Sequence, residues 1–231
     1  SCKKAKRAGC MNILAINTVA HALNVAAEGA QGTAVVSIEG AHCCIQQQLV
    51  RALDVVVKRA GFPVQETQIV ACPRGPGSFT GLRTGFAVAK ALQLGVGARF
   101  IAVPTLRLAA HPFRAFTGRV LSILDAKRGR FFWNCFKSGE PLFEDSHNHA
   151  QEIVKKVDTR VPCLVCGTGT ALFKSVMESQ DNTVPFMYVE TDAHEGAKTL
   201  LALVKVLNHS AATPGERGAP QYTTRTYAKG S

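Results

Sequence analysis

Apolar positions recur along this chain with two alternating periods. Residues 12–17 (NILAIN) form a short apolar run, and 20–27 and 33–38 follow as strand-like runs separated by Gly29 and Gly32, the punctuation of an antiparallel meander. The spacing then lengthens: Ile45, Leu49, Leu53, Val56 and Ala60 recur at helical intervals until Gly61. A strand at 68–72, a helix at 80–94, a strand at 99–103 and a short helix at 105–111 complete a β-β-β-α-β-α-β-α unit. After residue 117 the order restarts. RVLSILD (119–125) echoes NILAIN, RFFWNCF (130–136) is a second strand beyond Gly129, and 141–144 predicts a third. A helix at 149–157, a strand at 162–166, a helix from about 170, a strand at 185–190 and a helix at 194–208 close the second unit. This repetition predicts an α/β chain of two duplicated lobes, 11–116 and 117–210. They are flanked by a leader at 1–10 and a tail at 211–231, whose Pro214, Gly215, Gly218 and Pro220 mark a linker ending in a short docking segment.

Composition narrows the class. A chain of 231 residues, 46% hydrophobic and 19% charged, is neither disordered nor too small to bury two cores, and no apolar run approaches the roughly 20 residues of a membrane-spanning helix. The formal charge is +11, which suggests a nucleic-acid binder. Lys3, Lys4, Lys6 and Arg7 of it lie in the leader, which has no apolar core of a signal peptide and is expected to be disordered, with Met11 opening the folded part. Eight cysteines are too few for a disulfide scaffold of this length. Cys163 and Cys166 form a C-x-x-C inside an apolar strand, where alternation points them to opposite faces, and Cys43-Cys44 are adjacent. The reading is reduced, mostly buried thiols in a cytoplasmic protein.

The most informative stretch is ACPRGPGSFTGLRTGFAVAKALQLG, residues 71–95. A strand runs through Gly75, Pro76, Gly77 and Ser78 into a helix that begins near Thr80, a geometry that can favour an anion. Ser78 or Thr80 can cap that helix. The spacing fits neither a P-loop nor G-x-G-x-x-G. Within the helix, Gly81, Gly85 and Ala89 form a small-residue stripe at i, i+4 and i+8, and two glycines at roughly 1 kcal/mol each need a reason. Close packing inside the chain, a subunit interface and approach of a ligand all supply one.

That stretch, with VPTLRLAA and LDAKRGRFFWNCF after it, closely resembles the bacterial TsaB (YeaZ) family over residues 11–210. GPGSFTGLR-x-G from Gly75 to Gly85 is very specific, D-A-x-R-G from Asp125 to Gly129 is a second match, and LAINT and Pro220-x-Tyr222 with Arg225 are looser ones. The resemblance implies the two-lobed actin/Hsp70/sugar-kinase-like (ASKHA) fold. It also implies a non-catalytic scaffold that activates the catalytic subunit TsaD in forming N6-threonylcarbamoyladenosine at adenosine 37 of ANN-decoding tRNAs. The expected partners are TsaD, TsaE within the complex, a second copy of the chain, and tRNA through the complex, with no membrane. The helix region around Gly81, Gly85 and Ala89 is the implied pairing surface. No cofactor is required of the chain itself; ATP is a candidate within the complex.

Intrinsic catalysis finds little support. A kinase-type member of this fold holds ATP–Mg²⁺ with acids at the ends of the first strand of each lobe. Here the first position is Asn17, which brings no charge to a hard dication, and the second is Asp125, followed by the competing cations Lys127 and Arg128. The alternative reading remains a nucleotide-binding enzyme that uses Gly75, Gly77, Ser78, Thr80 and Asp125. His147 and His149 fall in an expected surface loop, His21, His42, His111, His194 and His209 are scattered, and no metal-ligand pair such as H-x-x-x-H occurs. G-x-S-x-G fails around Ser78, with Pro76 for the first glycine and Gly81 one residue late. Lys127, Arg128 and Arg130, with Arg83 and Arg119, are the candidate contacts to tRNA phosphates.

Overall fold

The computed structural model describes residues 11–19, 22–40, 45–179, 184–192 and 194–209. The leader at 1–10, His21, His42, Cys43, Cys44 and the tail with Pro220, Tyr222 and Arg225 lie outside the described residues. Two compact units emerge. One contains the chain through Val103 and again from residue 193; the other is Pro104–Asp192.

The first unit is a five-stranded sheet of β1 (Ile13–Asn17), β2 (Ala22–Gly29), β3 (Gly32–Glu39), β4 (Ile69–Gly75) and β5 (Arg99–Pro104) in the order β3-β2-β1-β4-β5. β1 to β3 form the predicted antiparallel meander, and β4 joins β1 in parallel after the crossover helix α1 (Ile45–Ala60). α2 (Phe79–Val96) follows β4. Strand alternation sends Leu14, Ile16, Leu23, Val25, Val70 and Cys72 to one face, where Leu49, Leu53, Val56 and Val57 of α1 and Phe86 and Ala89 of α2 cover them. Burying those four α1 side chains is worth about 1.5–3 kcal/mol each before chain entropy is counted.

The second unit repeats this pattern. Its sheet runs in the order β11-β10-β6-β7-β8, with β9 paired to β7. The strands are β6 (Arg119–Asp125), β7 (Arg130–Lys137), β8 (Glu140–Pro141), β9 (Ser146–His149), β10 (Cys163–Cys166) and β11 (Phe186–Tyr188). α4 (Ala150–Lys156) and α5 (Thr170–Glu178) cover the face carrying Leu121, Ile123, Phe131, Trp133 and Val165. Phe131 meets Phe173 edge to face at 5.3 Å. The β-β-β-α-β-α-β-α unit therefore occurs twice, and the chain has the ASKHA fold. Among the described residues no helix is long and apolar enough to cross a membrane.

Two expectations need revision. The boundary does not fall at 116/117, because the last helix of each sequence repeat packs on the other repeat's sheet. α3 (Thr105–Ala110), which follows β5, packs on β6 and β7 and meets Val120, Leu124 and Phe136 through Leu106 and Ala110. α6 (Gly196–His209), which follows β11, packs on β1, β2 and β4 and buries Ala197, Leu200, Leu201, Leu203 and Val204. An apolar helix face states that it will be covered, not by which sheet. The second revision concerns His147 and His149. They lie in strand β9 rather than a loop, and the expected strand at 141–144 is replaced by β8, which shares only Pro141 with it, and by β9 beyond it. SHNH carries no apolar alternation because β9 is only half-buried.

Candidate functional site

In the first unit, β4 ends at Gly75 and α2 begins at Phe79, and Gly75 (φ 108°) and Gly77 (φ 154°) make the turn between them. Ser78 is the N-cap: its Oγ accepts the Gly81 N–H at 3.3 Å. The Thr84 hydroxyl donates to the Thr80 carbonyl at 3.0 Å. The glycines make room for the protein's own chain. A Cβ on Gly77 would lie 2.0 Å from Val19 Cγ1, one on Gly81 2.0 Å from the Thr18 carbonyl oxygen, and one on Gly85 2.7 Å from Thr18 Oγ1. Thr18 Oγ1 also donates to the Gly81 carbonyl at 2.6 Å. Asn17 is buried, accepts the Val19 N–H on its Oδ1 at 3.2 Å, and places its Nδ2 where a side chain on Gly196 would be. Gly75, Gly77, Ser78 and Thr80 do come together, and the segment Asn17–Val19 packs down onto them.

Gly81, Gly85 and Ala89 face inward, so packing within the unit already explains the small-residue stripe. The outer side of the same helix carries Phe79, Arg83, Ala87, Ala91 and Leu94, all exposed, with Leu94 at 84%. The Arg83 guanidinium lies 3.7 Å from the centroid of the Phe79 ring. Arg83 is among the candidate tRNA contacts, whereas nothing in the motif spacing singles out Phe79, Ala87, Ala91 and Leu94, although the sequence carries the signal. The only charged residues of α2 are Arg83 and Lys90, and a helix apolar on both sides is covered on both sides.

In the second unit the equivalent loop is Gly167–Gly169, between β10 and α5. Gly169 donates its N–H to the Ile123 carbonyl at 3.0 Å, and a Cβ there would lie 2.9 Å from the Asp125 nitrogen. Asp125 shapes the β6–β7 hairpin. Its Oδ1 accepts the Lys127 N–H at 2.7 Å and its Oδ2 the Lys127 ammonium at 2.8 Å. Burial pushes the Asp125 carboxyl up, but the Lys127 bonds outweigh it and hold the pKa below the ordinary value. The turn they fix is strained: Lys127 (φ 65°) and Arg128 (φ 54°) are left-handed non-glycine residues preceding Gly129 (φ 71°), at roughly 1–2 kcal/mol each. Neither strand end by itself suits a magnesium–nucleotide group: Asn17 in the first unit offers an amide, and in the second unit both Asp125 oxygens are committed to Lys127.

The candidate cations divide. Lys127, Arg128 and Arg130 cluster at the hairpin, all exposed, and the register sets Arg130 opposite His149 and Phe132 opposite His147. Arg119 stands at the other end of β6 and pairs with Asp158 at 3.3 Å, and Arg83 belongs to α2 in the first unit.

Cys72, Cys135, Cys163 and Cys166 are buried and unbridged. Cys163 packs with Val165 under α4 and α5 while Cys166 packs with Leu106 and Ala110, so this C-x-x-C does straddle the sheet. Burial pushes the Cys135 thiol up to about 11 and those of Cys163 and Cys166 to about 12, leaving them protonated and inert. Among the described residues no three His, Cys, Asp or Glu side chains converge on a metal position. One contact had no signal in sequence spacing. His194 Nδ1 lies 2.8 Å from Ser37 Oγ and its Nε2 2.9 Å from Glu39 Oε1, tying the residues before α6 to β3. With Glu39 largely exposed, this serine–histidine–carboxylate order works as a tether.

Comparison with known proteins agrees with these features. A family model described as TsaD: tRNA N6-adenosine threonylcarbamoyltransferase matches residues 39–230. The tRNA threonylcarbamoyladenosine biosynthesis protein TsaB of Escherichia coli (strain K12) is 33% identical over 132 residues, 56% of this chain and 57% of that protein. The protein of the same name from Bacillus subtilis (strain 168) is 28% identical over 187 residues, 77% of this chain and 80% of that one. The match thus spans little more than half of the first relative and four-fifths of the second. The fold is shared with YeaZ from Pseudomonas aeruginosa, at a TM-score of 0.72 and 22% identity over 92% of this chain and 99% of that one. The chain belongs to the TsaD-type family that this model describes and, within it, to the TsaB (YeaZ) group.

Proposed function

We propose that the chain is a non-catalytic activating subunit of the machinery that forms N6-threonylcarbamoyladenosine at position 37 of ANN-decoding tRNAs, working in the cytoplasm. Its partner is a TsaD-type catalytic subunit, with TsaE joining the complex and self-association as the alternative pairing. The observation that carries this reading is the outer face of α2, where Phe79, Ala87, Ala91 and Leu94 expose an apolar stripe on a helix whose inner face is already filled. The relatives' names supply the pathway, and the helix supplies the surface. In this reading no cofactor is required of this chain, and ATP is a candidate within the complex.

Catalysis by the chain itself is the weaker reading, since neither Asn17 nor the Lys127-bound Asp125 is a good ligand for a hard cation. Reconstitution with TsaC, TsaD and TsaE tests the proposal. tRNA modification is expected only when this chain is present, and equal modification without it would refute the accessory role. Calorimetry of the chain with ATP and magnesium separates the alternative: no heat is expected, and binding that vanishes in Asp125→Ala would establish the nucleotide enzyme.

A further inference from the structure

The β6–β7 hairpin places two arginines where folding alone would not. The tight turn between β6 and β7 favours Gly, Asn or Asp at left-handed positions, yet Lys127 and Arg128 occupy two of them ahead of Gly129. Asp125 enforces the conformation by gripping the Lys127 backbone and ammonium, which cancels that pair's charge. Arg128 and Arg130 are left over. Both are exposed, and neither has an ion-pair partner among the described residues. Lys58, Arg160, Lys174 and Lys198 are matched by Asp54, Asp158, Glu178 and Glu195, while Arg51, Arg59, Lys137 and Lys155 are exposed without a salt bridge among the described residues. What sets Arg128 and Arg130 apart is that they sit one residue apart on a turn that Asp125 holds. On the adjoining strand His149, directly opposite Arg130, places its Nδ1 3.0 Å from the Gly129 carbonyl oxygen and braces the same turn. Glu152 accepts the Asn148 amide, and that bond, with the charges of His149, Arg130 and Lys156, holds its carboxyl below the ordinary value.

A braced turn that holds two exposed guanidinium groups one residue apart, neither in a salt bridge among the described residues, suits successive phosphates of a polynucleotide, which Arg grips bidentately. We propose that Arg128 and Arg130, held by Asp125 and His149, form a phosphodiester-binding tip through which this subunit touches RNA directly. The tRNA identity rests on the function proposed above; the polyanion chemistry does not.

The test uses the full chain alone, so that it is independent of pairing with TsaD. Binding of a fluorescently labelled, unmodified ANN-decoding tRNA is followed by anisotropy across a salt series. Arg128→Glu/Arg130→Glu should weaken binding about tenfold or more and lower the slope of log K against log salt by about 1.5–2, while Lys58→Glu on α1 leaves both unchanged. The hairpin lies at the surface, so melting temperature serves as the folding check, and Arg128→Ala alone gives a milder second variant. Equal affinity and slope in wild type and variants would overturn the proposal, as would complete displacement of the RNA by millimolar ATP, which would assign the tip to a mononucleotide. Loss of RNA contact with modification still dependent on this chain would leave the accessory role standing.

Discussion

Helices α1 and α2 lie on the same face of the same sheet and bury similar inner stripes, yet their outer sides differ. α1 presents Gln46, Gln47, Arg51, Asp54, Lys58 and Arg59, interrupted by Val50. α2 presents Phe79, Ala87, Ala91 and Leu94 with Arg83 and Lys90. A helix at rest against water has no use for a second apolar stripe, so the contrast is what the proposed pairing through α2 would require. Under the function proposed above, the expected pairing face moves from Gly81, Gly85 and Ala89 to the outer side of α2. The glycines that distinguish α2 in the sequence serve Thr18 and Val19 on the inside, and the outer side carries the residues a partner would meet.

Four substitutions follow from the largest effect to the smallest, three pressing on this contrast and one probing the second unit. Gly81→Val drives a side chain into the Thr18 backbone, and chemical denaturation should show a loss of about 3 kcal/mol or more, whereas a pairing glycine would leave the monomer's stability intact. In the second unit, His111 is buried with its pKa lowered to about 4, by desolvation first and then by Arg114 and Arg107. The unfolded chain takes up that proton near 6.5, so stability should fall as pH drops from about 6.5 toward 4, by up to about 3 kcal/mol; His111→Gln should flatten the profile. Thr18→Ala removes the bond to Gly81 and should cost about 1 kcal/mol with pairing unchanged, read by calorimetry and sedimentation. Leu94→Asp should alter monomer stability by no more than about 0.5 kcal/mol while sedimentation shows pairing with TsaD lost.

Local periodicity made nearly every element legible, because each strand and helix writes its own burial pattern into neighbouring residues. Assignment of α3 and α6 to sheets was not legible, since Leu106 and Ala110 would pack equally well on either apolar surface. Strand β9 was hidden by its polar residues. Around the candidate site, the Gly75–Gly85 signature marked the right place but not the purpose of its glycines, which depends on Thr18, some sixty residues away in the chain. The hairpin cations were legible as charge. That Asp125 neutralises Lys127 and leaves Arg128 and Arg130 unmatched required coordinates.

The most direct measurement is the rate of tRNA modification by the reconstituted system with Ala87→Arg on α2 beside Val50→Arg on α1. Both positions are exposed, and both substitutions add the same side chain. If the outer face of α2 is the pairing surface, Ala87→Arg falls to the rate seen without this chain and Val50→Arg retains the full rate. Equal rates for the two variants would contradict the account.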